Sequence, residues 1–499
     1  MSEASTQAPA SHELRRRALG AVIWSFVQSW GGRAITAALF LVLGRLLGPS
    51  TLGLAAYATL FVEFGRVLID QGFSQTIVQR PELDDTDIDT AFWTATALGA
   101  ALTVVSFLAA PWVADAFARP AMEPLLRWLS LNFVLAGLGS THLGLLQREL
   151  RFKALAIQRL VGAAAGGVVG LAMAFAHRGV WSMIGLQLTT TAVGTALVLL
   201  SAARLPHARF SGTSLAALRA FAVSVMGLQL LDFLHANGDN FIIGLVLGDR
   251  ILGYYVLAYR VYTVTLEVLG TAVSGVAFPV FSRVAGDRER LRRIYLEAVR
   301  ITATVAFPVF IGLAVVANDA SRVAFGSRFD PAGPMLRVLA LIALTNIAGW
   351  FQRSLLLAVG RAGLAVRASA VFVIVKLGVF AALVSHGVAV ALVAQLFTGL
   401  LLFPVDRAML HAGGVRYRDH VRQLVEPIAA CAVMSAAVML WLHTMSSSWG
   451  AGVRLMTAAL LGAVTYVVVL AAVAPSNIGD IVRNVRAIRG GSVEAPVSA

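Results

Sequence analysis

Arg33, Arg66, Arg260 and Lys376 lie inside long apolar stretches, where each charge requires a purpose. An ionisable group at the centre of a bilayer costs about 2.5–3.5 kcal/mol, so those retained face a polar cavity or a partner. A cavity holding scattered fixed cations suits a phosphate-bearing anion, because a guanidinium binds phosphate oxygens through a two-pronged fork. Arg33 and Arg260 have a second reading, reaching toward the membrane surface on long apolar stems, whereas Lys376 sits too deep for that. Acids form a second group. Gln229, Asp232, His235 and Asp239 follow one another at spacings of 3, 3 and 4, which places them on one face of a helix. Such a stripe can release and regain a proton: histidine titrates near neutrality, and burial raises a carboxylate toward that range. The structural alternative is a salt bridge from the stripe to Arg33 or Lys376. Glu63, Arg66 and Asp70, at i, i+3 and i+7, form a third set that can neutralise itself within one helix.

Other chemistry is missing. The two lysines, Lys153 and Lys376, precede Ala154 and Leu377, so neither belongs to a phosphate-binding P-loop, and this chain is not expected to hydrolyse ATP. His12-Glu13 is followed by arginines, which excludes the two-histidine zinc pattern. The single cysteine leaves no disulfide framework and no multi-cysteine metal site. Asp85-Thr86-Asp87 has the spacing of a sugar-nucleotide signature, but no nucleotide-binding domain surrounds it, and a solvated loop is expected there. The chain is therefore read as a non-enzyme without cofactor or metal.

The elements that position these charges are membrane-length helices. Hydrophobic residues make up 58% of the chain and charged residues 13%, against roughly 25% charged in soluble domains. Apolar runs near 20 residues fall at 18–43, 52–70, 91–118, 125–147, 156–176 and 180–203, then at 218–247, 252–280, 299–317, 334–358, 364–384 and 387–410. Two more follow at 424–443 and 452–473. The first run is too long for a signal-peptide core and is read as an uncleaved span. The prediction is an all-α polytopic membrane protein of about fourteen transmembrane helices. Gly162, Gly166 and Gly170 form a ridge of small residues for close helix packing, and Pro279, Pro308 and Pro404 are placed to bend spans.

The runs are duplicated. Gly44, Leu47, Gly48, Leu52, Gly53 and Ala58 recur 200 positions later as Gly244, Leu247, Gly248, Leu252, Gly253 and Ala258. Pro124, Leu126, Arg127, Leu129 and Leu131 recur as Pro334, Leu336, Arg337, Leu339 and Leu341; Gly179, Val180, Gln187 and Leu188 recur as Gly387, Val388, Gln395 and Leu396. A repeat of that length, filled with spans, is the mark of a secondary transporter. The expected organisation is a tail at 1–17, a six-helix lobe at 18–205, a second at 206–411, two further helices at 412–473 and a tail at 474–499. The acidic stripe belongs to one lobe only, because Gly32, Ile35 and Leu39 replace Asp232, His235 and Asp239 in the first copy.

Net charge of +14 gives the orientation. Basic clusters occupy alternate connections: Arg148/Arg151/Lys153/Arg159, Arg204/Arg209/Arg219, Arg283/Arg288/Arg290/Arg292/Arg293 and Arg416/Arg418/Arg422, together with Arg15–Arg17 and Arg483/Arg486/Arg489 in the tails. By the positive-inside rule both ends face the cytoplasm, and the charge is assigned to topology and anionic lipid rather than to nucleic acid. With six spans per copy, the two copies run in the same direction about an axis along the membrane normal.

Further motifs carry a resemblance. Leu43-Gly44-Arg45-Leu46-Leu47-Gly48-Pro49 with Leu52-Gly53, Asp70-Gln71-Gly72-Phe73, Ile77-Val78-Gln79-Arg80-Pro81-Glu82-Leu83 and Leu146-Gln147-Arg148-Glu149-Leu150-Arg151-Phe152 resemble the polysaccharide transporter branch of the multidrug/oligosaccharidyl-lipid/polysaccharide exporter superfamily, the Wzx-type flippases of colanic-acid type. The resemblance spans roughly residues 14–475. It implies two six-helix lobes around a central cavity and the movement of undecaprenyl-diphosphate-linked oligosaccharide across the bacterial inner membrane. The implied partners are that lipid-linked substrate, the bilayer lipids, H+ or Na+ as a coupling ion, and polymerase and export machinery. Three alternatives compete. A multidrug or cation exporter of the same superfamily would favour an acidic, aromatic cavity. A membrane polymerase or glycosyltransferase would need a large loop that is not seen here. A structural scaffold would leave the acidic stripe without a purpose.

Overall fold

A computed structural model of the chain describes residues 24, 27, 30–79, 83–202, 206–270, 274–445 and 449–473. Arg15–Arg17, Arg80–Glu82, Arg204 and the C-terminal arginines lie outside them, as does the side chain of Asp70.

Hydrophobic runs of membrane length in a water-free medium must satisfy every backbone group internally, and the chain does so as helices. In chain order these are α1 (30–46), α2 (Pro49–Gln79), α3 (Asp85–Ala116), α4 (Met122–Arg148), α5 (Phe152–Phe175), α6 (Trp181–Leu200), α7 (Gly212–Leu247), α8 (Asp249–Gly270), α9 (Ser274–Arg283), α10 (Arg288–Val315), α11 (Ala317–Phe325), α12 (Ala332–Gly349), α13 (Gln352–Ala358), α14 (Ala362–Leu383), α15 (Val388–Ala412), α16 (Tyr417–Thr444) and α17 (Ala451–Val473). Where they are described, the expected runs lie largely in helix; the first, at 18–43, is described only in part. Two are divided: the run at 252–280 becomes α8 and α9, and the run at 334–358 becomes α12 and α13.

Eleven helices among the described residues are long and apolar enough to cross a membrane. Outside that set are α1, whose described part is short, the short helices α9 and α11, and two charged helices. Glu63, Arg66 and Asp70 lie in α2, and Asp249, Arg250, Arg260 and Glu267 in α8. The outer surface confirms the environment. Val105, Leu108, Trp112, Val168 and Phe175 are exposed in the first half of the chain, and Ile374, Leu401, Leu440, Leu460 and Val464 in the second. In water such surfaces would drive aggregation; in lipid they are the expected exterior. This is an all-α, multi-pass membrane protein.

The chain divides into two compact units, Met1–Gly253 and Tyr254–Ala499. In the first, α3 crosses α4 so closely that a Cβ on Gly99 would meet the carbonyl oxygen of Phe133, and one on Gly137 that of Ala95. The glycine ridge of α5 does the same work against α6: Gly162 faces the backbone of Thr190, Gly166 that of Leu186, and Gly170 the Leu186 side chain. Small residues let helix axes approach, and dispersion gained at short range replaces the hydrophobic drive absent in lipid.

The second unit is centred on Phe281, Tyr295, Phe351, Leu355, Leu410 and Val415, all buried. Its last two helices join the α10 side. The Tyr466 hydroxyl of α17 donates to the Thr304 carbonyl oxygen at 2.7 Å, and Arg292 of α10 pairs with Asp419 of α16 at 2.7 Å. Beyond α10, Arg322 forms a fork on Asp330, with bonds of 3.0 and 2.6 Å that close the turn after α11. These bonds hold the Asp330 carboxyl below its ordinary range.

The acidic segment is not a solvated loop. Asp84 caps α3, accepting the Asp87 N–H at 2.7 Å, and Asp87 and Asp89 are buried in the helix's opening turns. Asp89 accepts the backbone N–H of His207 at 3.1 Å, and the Thr90 hydroxyl that of Ser211 at 3.0 Å. The aspartates thus anchor the connection between α6 and α7 to the start of α3, a structural role that the D-x-D spacing alone could not reveal.

Candidate functional site

The acidic stripe lies on α7 as its spacing requires, with a gradient of burial along it. Asp232 and His235 are exposed, Gln229 is half-buried, and Asp239 and Asn240 are 2% and 5% exposed. An Asp239 oxygen accepts the backbone N–H of Asn240 at 2.9 Å, and the Asn237 amide donates to the Phe233 carbonyl oxygen at 3.3 Å.

Against this stripe runs α2, antiparallel. Phe64 meets Phe233 edge-on at 5.7 Å, and Phe61 meets Phe241 at 5.9 Å. Glu63 and Arg66, paired at 3.8 Å, flank Phe64 in the α2 sequence, and Asp232 directly precedes Phe233 in that of α7. Successive residues point to different sides of a helix, so the ring contact joins the two helices rather than these charges. Arg33 is half-buried on α1 beside Gly32, which faces the Arg159 side chain of α5. Arg33, Arg66, Asp232, His235, Asp239, Arg260 and Lys376 all engage neighbours.

In the second unit Arg260 sits half-buried on α8, and a row of tyrosines runs along a different side of the same helix. Tyr255 and Tyr259 stack at 5.7 Å, Tyr259 and Tyr262 lie 5.5 Å apart, and the Asn346 amide of α12 donates to the Tyr262 hydroxyl at 2.9 Å. Sequence reasoning found the arginine and missed this ladder. The signal was present as Tyr255, Tyr259 and Tyr262 at i, i+4 and i+7, one helical face. Tyr255 and Tyr262 are buried, so this row packs α8 inside its unit. Lys376 is half-buried on a separate helix, α14.

The other unanticipated feature is what the duplicated motif does. A Cβ on Gly53 would strike the carbonyl oxygen of Asp249, and a Cβ on Gly253 that of Pro49. The second contact is the first displaced by the repeat, so the two L-G-x(3)-L-G motifs meet reciprocally, backbone against backbone. Beside them Arg119, following α3, donates to the Gly244 carbonyl oxygen at 2.8 Å, pairs with Asp249 at 3.5 Å and lies over the Tyr57 ring at 5.3 Å. Phe117 and Phe241 complete a cluster around Tyr57, at 5.2 and 6.0 Å.

Comparison with known proteins places this arrangement. The family model described as polysaccharide biosynthesis protein matches residues 42–334, more than half of the chain. The chain belongs to this family. It is 26% identical to the lipopolysaccharide biosynthesis protein WzxC of Escherichia coli K12, over 70% of this chain and 71% of that one. It is 24% identical to the teichuronic acid biosynthesis protein TuaB of Bacillus subtilis, over 93% and 97%. It is 28% identical to the succinoglycan biosynthesis transport protein ExoT of Rhizobium meliloti, over 64% of each. Among solved structures, the lipid II flippase MurJ in an inward closed conformation aligns with a TM-score of 0.70 and 14% identity, over 92% of this chain and all of that one. An inward-facing multidrug transporter of the MATE family aligns at 0.59 and 14%, over 77% and 98%. At that identity these two report the fold.

Two of the motifs that carry the family likeness meet through their described residues. Arg148 donates to the Ile77 carbonyl oxygen at 3.0 Å, tying one motif to another, and Leu146 is buried with Leu155 and Val198. Leu150 takes a positive φ of 55° to turn α4 into α5.

Proposed function

We propose that this protein is a flippase that carries polyprenyl-diphosphate-linked oligosaccharide units across the bacterial inner membrane by alternating access, with both termini in the cytoplasm. Membership of the polysaccharide biosynthesis family carries the reading. The near full-length similarity to TuaB and the transport role in ExoT's name support it. In this reading residues 18–205 and 206–411 act as the two lobes, with 412–473 as accessory helices. The cations Arg33, Arg66, Arg260 and Lys376 hold the diphosphate and acidic sugars. No bond is made or broken in the substrate, so the protein acts as a transporter and not as an enzyme.

Asp232, His235 and Asp239 are the proposed proton-coupling group. A ligand shifts a two-state equilibrium only by its differential affinity for the two states, and a proton bound in one state and released in the other meets that requirement. Polymerase and export partners would act on the delivered unit.

One observation favours a second reading, a cation exporter of the same superfamily: the helices that carry the acids Glu63 and Asp232 meet through the aromatic Phe64–Phe233 contact. The test is transport by the purified chain in vesicles carrying a fluorescent polyprenyl-diphosphate oligosaccharide, with its loss from the outer leaflet read by enzymatic accessibility. Flipping without ATP is expected. Absence of flipping together with uptake of a cationic dye would replace this reading with the exporter one.

A further inference from the structure

We propose that the cationic pocket where α15 turns into α16 binds the phosphate headgroup of an anionic phospholipid. The pocket has a cavity volume of about 340 Å³, within the span of about 300–1,000 Å³ seen for small-molecule sites. Phe403, Arg407 and His411 line it from α15 at i, i+4 and i+8, a single helical face. The chain then reverses at Gly413-Gly414, where Gly414 has φ +80°, and Val415, 1% exposed, anchors the turn in the core of this unit. The reversal brings Arg416, Tyr417 and Arg418 to the opposite wall.

The charge here is uncompensated. Three guanidinium groups and an imidazole line the pocket and no carboxylate does. Among the described residues, no salt bridge engages Arg407, Arg416 or Arg418. The two acids nearest in sequence are committed elsewhere. Asp419 pairs with Arg292 at 2.7 Å, and Asp406 is hydrogen-bonded by Gln352. Positive charge gathered in a recess with no internal partner is arranged for an external anion.

The apolar side of the site selects a lipid over a free anion. Phe403 meets Tyr417 edge-on at 4.8 Å and is 39% exposed. From the pocket an exposed stripe runs along α16 through Val421, Val425 and Ile428, with Leu401 exposed on α15. The cations therefore sit at the end of an acyl-chain-facing surface, at the termini of two spans, where a phospholipid's phosphate lies. Arginines at a membrane surface each contribute roughly a fivefold preference for anionic lipid.

The test is native mass spectrometry of the full chain released from micelles containing phosphatidylglycerol and phosphatidylcholine. The comparison is between wild type, the Arg407→Gln/Arg416→Gln/Arg418→Gln variant, and a control removing the same charge from the start of α10, Arg288→Gln/Arg290→Gln/Arg293→Gln. Wild type and control should retain one phosphatidylglycerol in preference to phosphatidylcholine. The pocket variant should lose that preference by about fivefold per arginine removed. Should the triple variant not fold, as judged by gel filtration, Arg407→Gln alone should lose about fivefold. Retention by the pocket variant, or equal loss in the control, would overturn the proposal. So would displacement of the lipid by inorganic phosphate at matching concentration, or preferential retention of a polyprenyl diphosphate, which would assign the pocket to the transported substrate.

Discussion

At the scale of single residues, Arg119 carries the most connections for its size. One guanidinium serves a backbone carbonyl, a carboxylate and an aromatic face, on Gly244, Asp249 and Tyr57. Hydrogen bonds to charged groups contribute about 1.5–3 kcal/mol, so Arg119→Ala should lower stability by an amount in that range, measured by thermal unfolding in detergent. Asp249→Asn, which keeps the neighbouring helix intact, should cost less. Arg260 makes a different prediction. If its role is to fork a phosphate, Arg260→Lys should reduce transport several-fold while melting as wild type, because a point charge does not reproduce the two-pronged geometry. Equal flipping by Arg260→Lys would show that charge alone suffices. The sequence made the intramembrane charges visible because they interrupt apolar runs. Arg119 escaped notice because it follows a span's end, where arginines are ordinary, and only the fold reveals Gly244 beside it.

Among elements, the reading from hydropathy was good where lipid sets the pattern and weak where polar ends do. The described parts of the runs are largely helix, yet α3 and α10 begin several residues earlier than their apolar stretches, at Asp85 and Arg288. Capping explains both extensions: Asp84 and Asp287 accept N–H groups of the first turn. Hydropathy cannot see a capping side chain. The glycine ridge of α5, by contrast, was legible, since small residues at every fourth position have few other uses in a span. Its energetics can be checked by comparing Gly166→Ala with Gly378→Ala. A methyl on Gly166 meets the Leu186 carbonyl oxygen, whereas nothing lies within 4 Å of one on Gly378. The first should destabilise by about 1–3 kcal/mol and the second should be neutral or stabilising by up to about 1 kcal/mol, by thermal unfolding.

The turn closed by Arg322 and Asp330 responds to pH with a definite sign. The folded carboxyl sits below its ordinary value of 3.8, so its contribution is complete above that value and fades as pH falls through the depressed one. Hydrogen exchange at Gly326–Asp330 should therefore show protection at pH 6 that decreases below pH 3.8, and Asp330→Asn should remove that dependence.

For the whole molecule, the question is how a chain built on an internal sequence repeat acquires a direction of transport. Under the proposed mechanism the asymmetry resides in α7, whose Asp232, His235 and Asp239 have only Gly32, Ile35 and Leu39 as counterparts in α1. Asp232→Asn and Asp239→Asn should leave substrate binding intact and abolish the acceleration of flipping by an imposed pH gradient, measured in vesicles. If neither the gradient nor the substitutions change the rate, the stripe is structural and the substrate's own gradient supplies the drive. The repeat itself was plain in the sequence. Its physical meaning was not, because only the three-dimensional arrangement brings Gly53 and Gly253 against Asp249 and Pro49.

That reciprocal contact also bears on the ancestry of the molecule. A homodimer of one six-helix unit would have to place the same residue at both symmetric positions. Here Pro49 occupies one and Asp249 the other, and only Asp249 is paired with Arg119. Once two gene copies are read as one polypeptide, each half of a self-complementary joint can change independently. The glycines, pressed against carbonyls on both sides, have kept the inherited symmetry, while their neighbours have used the freedom to diverge.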